Sequence, residues 1–584
     1  MRIKDTLAPF LRLVPRIWFM GFAGLAAVAI GIAGTALVRP LVPQPVSRVG
    51  PSGWARFAGD QANNPVDEAA NVLGFTAMWT YQAPEPLQQA SIAGGRVFVS
   101  GDGTGPGDGN IYTLDATTGR LLWVRHLDNM SMTTPVVGGG RVFVGSGNQF
   151  FSPPAQRADA RLSSRHLVRG LGANAIYALS ARDGRVLWRV PTAGENMPTF
   201  VLNRGTVYAA NGAGEVLALA ARTGAVRWKV PIGSYVSMSS PILVGHDLYV
   251  SGAHPYDLYA INISRHRVAW ARPIPGVFGG SDDSSLAAAH GRLFVEGTVG
   301  TTEHPATRVF AFDAATGSLL WSTRIGSSTT LPTDIQVVAP TVVGGLVLAG
   351  SPVADREVAL DAATGHLVWT FNPHAPIAES PSVVHGVVYV GDESGMVFAL
   401  SLHTGAVRSV VDVGGSLAAD YPLVVGGTLI QPNENGAIDA LPLSVWSPAR
   451  AASGPNLPMP QGTATARAIQ EGEALFMTGQ GLDSHGESCN TCHAGGGTLA
   501  SFHKGVVIPP LVGVAAGFPQ IRNGRVTSLS AQVDHCLSGM HAPRLAAYDP
   551  RLQALELYLE WLSSGFPEHP GQTPQPGSRG GGCG

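Results

Sequence analysis

IYALSARDGRVLW, residues 176–188, decides the fold. An alternating apolar run, an Asp-Gly turn and a second run closing on Trp188 read as a β-hairpin, because glycine takes the positive φ that such a turn demands. The phrase returns as IYTLDATTGRLLW (111–123), VLALAARTGAVRW (216–228), LYAINISRHRVAW (258–270), VFAFDAATGSLLW (309–321) and EVALDAATGHLVW (357–369). A further copy, VFALSLHTGAVRS (397–409), ends in Ser409 where the others have tryptophan. Each is preceded by a second half-unit of the type ASIAGGRVFVSG (90–101), and YPLVVGGTLIQPN (421–433) supplies the last of eight. Four strands recurring at spacings of about 40–50 residues predict an all-β eight-bladed propeller. The strand around Met78–Tyr81 is expected to pair near Ile438–Leu441, closing the ring and removing its free edges. The repeat tryptophans read as packing between blades.

Composition agrees. The 584 residues are too many for one core, and 74 glycines with only 13% charged residues suit turn-rich β structure. A formal net charge of −2 gives no reason to expect a nucleic-acid partner. Arg2, Lys4, Arg12 and Arg16 precede an uncharged run from Trp18 to Val38. About 20 apolar residues span a bilayer, and the cationic flank stays inside. The expectation is an N-terminal transmembrane helix holding the rest on the periplasmic side of the inner membrane, with a cleaved signal peptide as the alternative. The predicted organisation is an anchor at 1–40, the propeller at 50–447, a Pro/Ala/Ser/Gly linker at 448–464, a small all-α domain at 465–565 and a flexible tail at 566–584.

The C-terminal region carries the clearest chemistry. A helical pattern, ARAIQEGEALFMTG (466–479), leads to SCNTCHAGGGT (488–498). Cys489, Cys492 and His493 form Cys-x-x-Cys-His, in which two thiols on one turn reach the haem vinyls and the adjacent imidazole takes the iron. A zinc site needs a second ligand pair, which is absent. The expected cofactor is one covalent haem c in a cytochrome c domain, whose last helix is RLQALELYLEWLSSG (551–565). Phe476, Tyr558 and Trp561 are placed like the aromatics of crossed terminal helices in such domains.

The pattern Ala-x-Asp-x-x-Thr-Gly-x-x-x-Trp resembles the repeats of the pyrroloquinoline quinone family of propellers. That family includes quinoprotein alcohol dehydrogenases, an outer-membrane assembly lipoprotein and tetrathionate hydrolases. The dehydrogenases clasp the quinone under two adjacent cysteines, and no cysteine lies between Arg39 and Ser488, so pyrroloquinoline quinone remains only an alternative cofactor. Segments leading into the inner strands are expected to line the channel mouth with Asp282, Asp283, Asp334, Glu379 and Asp420, besides Tyr235 and His374. A carboxylate there can act as general base on water.

Between the haem motif and the last helix, the stretch containing Arg522, Gly524, Val526, Leu529 and Cys536 resembles the haem domains of thiosulfate dehydrogenases and of the Sox cytochrome. The resemblance implies Cys536 as distal iron ligand; Met540, in Gly-Met-x-x-Pro, is the competing choice. The ending Gly-Gly-Gly-Cys583-Gly resembles the swinging arm of the Sox sulfur carrier and implies a thiol that bears substrate. If Met540 is the ligand, a Cys536–Cys583 disulfide is the other fate of these sulfurs. Together the resemblances imply an oxidoreductase of thiosulfate or tetrathionate, with electron transfer through the haem to a partner cytochrome. The alternatives are a quinohaemoprotein alcohol dehydrogenase and a non-enzymatic relay on a propeller scaffold.

Overall fold

The computed structural model describes residues 66–67 and 77–564, apart from 104–106, 152–166, 282–283, 333–338, 374, 378, 418–420, 449–458, 483–487, 500, 504–505, 509, 523–524 and 541. The expected membrane run and Cys583 lie outside these residues. Among the described residues no helix is long and apolar enough to cross a membrane.

Eight antiparallel sheets follow one another along the chain. Blade 1 comprises Leu87–Ala93, Arg96–Gly101, Gly109–Asp115 and Leu121–Leu127. Blades 2 to 7 repeat the arrangement, beginning at Val136, Val201, Ile242, Ala287, Thr341 and Ser382. Blade 8 has three local strands, Leu423–Val425, Thr428–Pro432 and Ala437–Pro442. Its fourth is Trp79–Gln82, paired antiparallel with Trp79 opposite Ala440 and Gln82 opposite Ala437. The closure read from the sequence is the one observed, and it ties the two ends of the array together without a covalent bond. The second and third strands are buried on both faces, as in RVFVSG and IYALS, whereas the fourth strands alternate with solvent.

Tryptophan joins the blades. The Nε1–H of Trp79, Trp188 and Trp369 donates to Ala116 O, Ala221 O and Leu402 O of the following blade at 2.9, 3.0 and 2.8 Å. Each indole lies on the turn glycine of that next blade. At Gly365, where φ is +74°, a Cβ would come within 2.7 Å of the Trp321 ring. Gly365→Ala is therefore expected to lower stability by about 1–3 kcal/mol, through both the left-handed φ and the clash. The fourth repeat has no turn glycine; His266 adopts φ +51° and stacks on Trp228 at 5.2 Å. His266→Gly relieves the strained φ and loses the stack, so its midpoint in thermal unfolding should move far less than that of Gly365→Ala.

Blade 7 departs from the pattern where its tryptophan is missing. Ser409 pairs with Pro448, and Trp446 packs edge-on against Tyr389 at 5.7 Å. Beyond it the outer strand Val407–Asp412 continues in register with Ser501–His503, Asp412 opposite Ser501. Phe502, 2% exposed, joins Trp446, Tyr389 and Val411 in one apolar cluster. The position left small by Ser409 is thus where the C-terminal region seats itself.

That region is built on three helices, Ala464–Thr478, Leu529–Gly539 and Pro550–Leu562. The first and last cross at Gly472, whose missing Cβ admits the Ala554 carbonyl. Thr463, Ser528 and Asp549 cap the three N-termini through their side chains. The expectation of an all-α domain needs correction. Two short hairpins, Ser501–His503 with Val506–Ile508 and Gln520–Arg522 with Arg525–Thr527, interrupt the helices. The first exists because it extends the outer edge of blade 7, a non-local pairing that helical periodicity does not register.

Candidate functional site

The loops that lead into the inner strands all lie on one face of the ring, called here the upper face. Glu85 sits in the loop of blade 1, Glu195 in that of blade 3, Tyr235 in that of blade 4 and Glu379 in that of blade 7. Asp282 and Asp283 (blade 5), Asp334 (blade 6), Asp420 (blade 8) and His374 fall in the same series but outside the described residues. Glu85 accepts hydrogen bonds from Asn110 Nδ2 at 2.7 Å, from Gly103 N–H and from the Tyr112 hydroxyl. Such saturation explains how it is buried. Glu195, without exposure, pairs with Arg169, whose Nη1 also donates to Ser237 Oγ at 2.6 Å. This Arg169 guanidinium spans the lead-in loops of blades 3 and 4. Next to it, Tyr235 meets Phe151 edge-on at 5.3 Å and stacks on His254 at 5.8 Å.

Blades 5, 6 and 7 each bury a carboxyl in their upper half. Glu296 lies on the second strand of blade 5, Arg292–Gly300, and Glu357 opens the third strand of blade 6, Arg356–Asp361. Both are fully enclosed, and among the described residues neither carboxyl has a side-chain hydrogen-bond partner. Burial pushes both well above the ordinary carboxylate range, and each carboxyl is the more easily held neutral; Glu357 charge adds to the effect on Glu296, and the Ala349 backbone eases that on Glu357. Glu379 is pushed up to about 8 by burial, against the hydrogen bond from Gln431. Thr298 Oγ1, one alternation beyond Glu296 on the same strand face, is likewise buried and unpartnered. Glu296, Glu357 and Glu379 are therefore each held toward the neutral form, polar groups that add little negative charge of their own.

The second candidate is the Cys489–Thr491 turn. His493 N–H donates to Cys489 O at 2.9 Å and Cys492 N–H to the same oxygen at 3.3 Å, so both thiols and the imidazole leave one helical turn. Neither Cys489 nor Cys492 is in a disulfide, whereas Cys536 is disulfide-bonded. Burial pushes the Cys489 thiol up to about 12. Cys489, Met540 and Trp561 all border the apolar cluster of Ile469, Phe476, Leu537, Leu555 and Tyr558. Phe476 lies 6.5 Å from the His493 ring, and the Tyr558 hydroxyl donates to Gly496 O at 2.8 Å. Trp561 Nε1 is buried without a partner. Two thiols, an imidazole, a thioether and a spare N–H around an apolar cluster fit a covalently attached haem. Among the described residues no cluster of three or more His, Cys, Asp or Glu could hold a bare metal ion.

Three overlapping stretches, residues 76–279, 155–351 and 308–484, match the family described as outer membrane protein assembly factor BamB. The chain belongs to this PQQ-like β-propeller repeat family. Two relatives are named tetrathionate hydrolase. That of Acidithiobacillus ferrooxidans is 29% identical over 439 residues, 68% of this chain and 87% of its own length. That of Acidianus ambivalens is 25% identical over 413 residues, 66% and 76% of the two chains. Among solved structures, BamB from Moraxella catarrhalis covers 64% of this chain and 97% of its own at 17% identity and a TM-score of 0.45.

PQQ-like repeats are legible as strands, and this hides some of their polar residues. Glu296 in RLFVEG and Glu357 in REVALD occupy positions that alternation alone would assign to a solvent face. In a propeller both faces of these strands are covered by neighbouring blades, so the same positions become buried carboxyls. The signal that could have found them is position: both lie on strands flanked by blades on either side.

Proposed function

We propose that the chain acts on inorganic sulfur compounds of the tetrathionate class, by hydrolysis at the upper mouth of the propeller. The observation that carries this reading is the similarity to two tetrathionate hydrolases, one of them matched over 87% of its length. Hydrolysis by a mouth carboxylate acting on water is what the sequence suggests for the propeller; it takes the place of the oxidoreductase reading of the chain as a whole. Asp282, Asp283 and Asp334 are the proposed sources of the general base. One of them takes a proton from water, the water oxygen bonds to a terminal sulfonate sulfur, and the adjoining S–S bond breaks with its electron pair on the sulfane fragment. Arg169, fixed by Glu195 and Ser237, is proposed to hold the other sulfonate. Neutral carboxyls at Glu296 and Glu357 keep the surroundings from repelling a dianion.

The test is direct. The full chain incubated with tetrathionate should consume it, and replacing the responsible aspartate by asparagine should slow turnover by about 10²–10⁴-fold. Arg169→Met should chiefly raise KM. No consumption by the unaltered protein would overturn the reading.

A second reading rests on the Cys489–His493 turn. The C-terminal module is proposed to carry one haem c, with Cys489 and Cys492 as the thioether residues and His493 as an iron ligand. When bound, the haem supplies a one-electron redox centre, and a cytochrome-type partner would be needed to exchange electrons with it. A sulfur held in a disulfide offers iron no thiolate, which supports Met540 over Cys536 as the sixth ligand. The carrier role expected of Cys583 lies outside the described residues and does not enter this mechanism. Anchoring on the periplasmic face through Trp18–Val38 is part of the same proposal.

A further inference from the structure

Glu379 and Gln431 face each other across the seam between blades 7 and 8. Gln431 Nε2 donates to Glu379 Oε1 at 2.6 Å and reaches Pro432 O at 3.2 Å. The second contact fixes the amide, since the flipped form would set Gln431 Oε1 against a carbonyl oxygen. Both side chains are fully enclosed. Two oxygens then remain, Glu379 Oε2 and Gln431 Oε1, each buried and without a side-chain partner among the described residues, the Gly391 backbone lying against the carboxyl. If the carboxyl is ionised, both are acceptors, and two unmet acceptors at one seam are costly.

One proton resolves both. We propose that Glu379 is a resident proton site: a carboxylic acid that donates from Oε2 to Gln431 Oε1 and accepts from Gln431 Nε2, closing a two-bond ring that clamps blade 7 to blade 8. No oxidant or further reactant is required; the proton comes from solvent and returns to it. The neighbours agree with a neutral acid. A Cβ at Gly391 would collide with Oε2 and with the Leu417 side chain, so the carboxyl is closed off from water there, although the Gly391 backbone hydrogen bond eases the shift. The charged group acting on Glu379 is Asp392, just past the end of the second strand of blade 7, Val387–Gly391. Asp392 Oδ1 accepts from Ser394 N–H at 3.0 Å, Ser394 Oγ at 2.6 Å and Met396 N–H at 3.1 Å. Its charge disfavours a second one beside it. Blade 8 contributes the neutral Gln431. Gln431 lies on the second strand of blade 8, one strand removed from the closure strand Trp79–Gln82, so the clamp links blade 7 to the blade in which the ring is joined.

The sign follows from the direction of the shift. A carboxyl that holds its proton more tightly folded than unfolded stabilises fully at acid pH, and the effect is lost as pH rises through its folded value. The experiment uses the intact chain in two measurements. Infrared spectra in mild acid and mild alkali should show a protonated-carboxyl band that disappears on titration, and Glu379→Gln should remove the share of one carboxyl. Because an amide pair can form the same ring without a proton, Glu379→Gln should fold. Its thermal midpoint should lack one proton's worth of alkaline decline, about 2–4 °C. In Gln431→Met the Glu379 band should move to the position of a carbonyl without a hydrogen-bond partner, a readout that does not depend on Glu379→Gln folding. An unchanged band in both variants, or an undiminished alkaline decline in Glu379→Gln, would overturn the proposal.

Discussion

A chain carrying Cys489→Ala and Cys492→Ala is expected to emerge from an oxidising compartment without covalent haem, whereas the unaltered chain carries one per molecule. The effect is all-or-none because the two thioethers are the attachment, and no other described residue offers a thiol to replace them. Haem staining of the denatured protein reads it, since non-covalent haem is lost there. Single variants should retain one link and a reduced stain. Met540→Ala should leave the stain intact but change the spectrum of the reduced protein, while Cys536→Ser should change it little. Hydrolysis of tetrathionate should survive in the double variant, because the proposed chemistry lies on the upper face of the propeller. Its rate should fall only as far as the C-terminal module destabilises blade 7 through Phe502 and the Asp412–Ser501 pairing. An unstained wild-type chain would remove the haem reading and leave the hydrolytic one standing; loss of hydrolysis together with haem would join the two sites into one.

The eight blades were readable because each repeat states its turn and its tryptophan locally. The closing strand was readable for a different reason: Trp79–Gln82 has no local partner, and a ring supplies one. What the repeats do not carry is anything decided between distant segments. The seventh copy shows a serine where tryptophan is expected, but only the fold reveals that Trp446 and Phe502 cover that region. Order along the repeat puts Glu379 in a lead-in loop of blade 7. Its burial was not foreseeable, because the residue that encloses it, Gln431, lies on the next blade. Arg169 and Glu195 were missed outright. Their pairing joins an insertion of blade 2 to the loop of blade 3, and neither residue belongs to the repeated pattern. At the C-terminus the Cys-x-x-Cys-His turn was legible as chemistry, while its seating on blade 7 was not.

Stability is expected to be greatest near about pH 4–5 and to fall toward about pH 9. Burial favours the protonated form of several carboxyls. Asp439, which accepts from Thr80 Oγ1 at 2.5 Å in the closure seam, is pushed up to about 7 by burial. Asp412 beneath the C-terminal module and Asp102 on the upper face are pushed up to about 6, again chiefly by burial. Glu379 rises to about 8, with Glu296 and Glu357 well above their ordinary range. Each raised group stabilises fully below its unfolded value and loses that contribution as pH climbs through its folded value. One unit of displacement is about 1.4 kcal/mol, so Asp439 and Glu379 alone are worth on the order of several kcal/mol each. Against these stand carboxyls shifted the other way, such as the half-buried Asp549, held at about 2 by its hydrogen bonds with Arg551. They weaken the fold only in stronger acid, which sets the lower edge of the window. Thermal unfolding of the whole chain at about pH 5, 7 and 9 should show midpoints descending in that order. Asp439→Asn combined with Glu379→Gln should flatten the descent, most of all above neutrality. A midpoint that rises or stays level with pH would mean that these seams admit water and keep their carboxylates charged. The proposed binding of a dianion asks for neutral carboxyls at Glu296 and Glu357, so the same measurement weighs on that proposal.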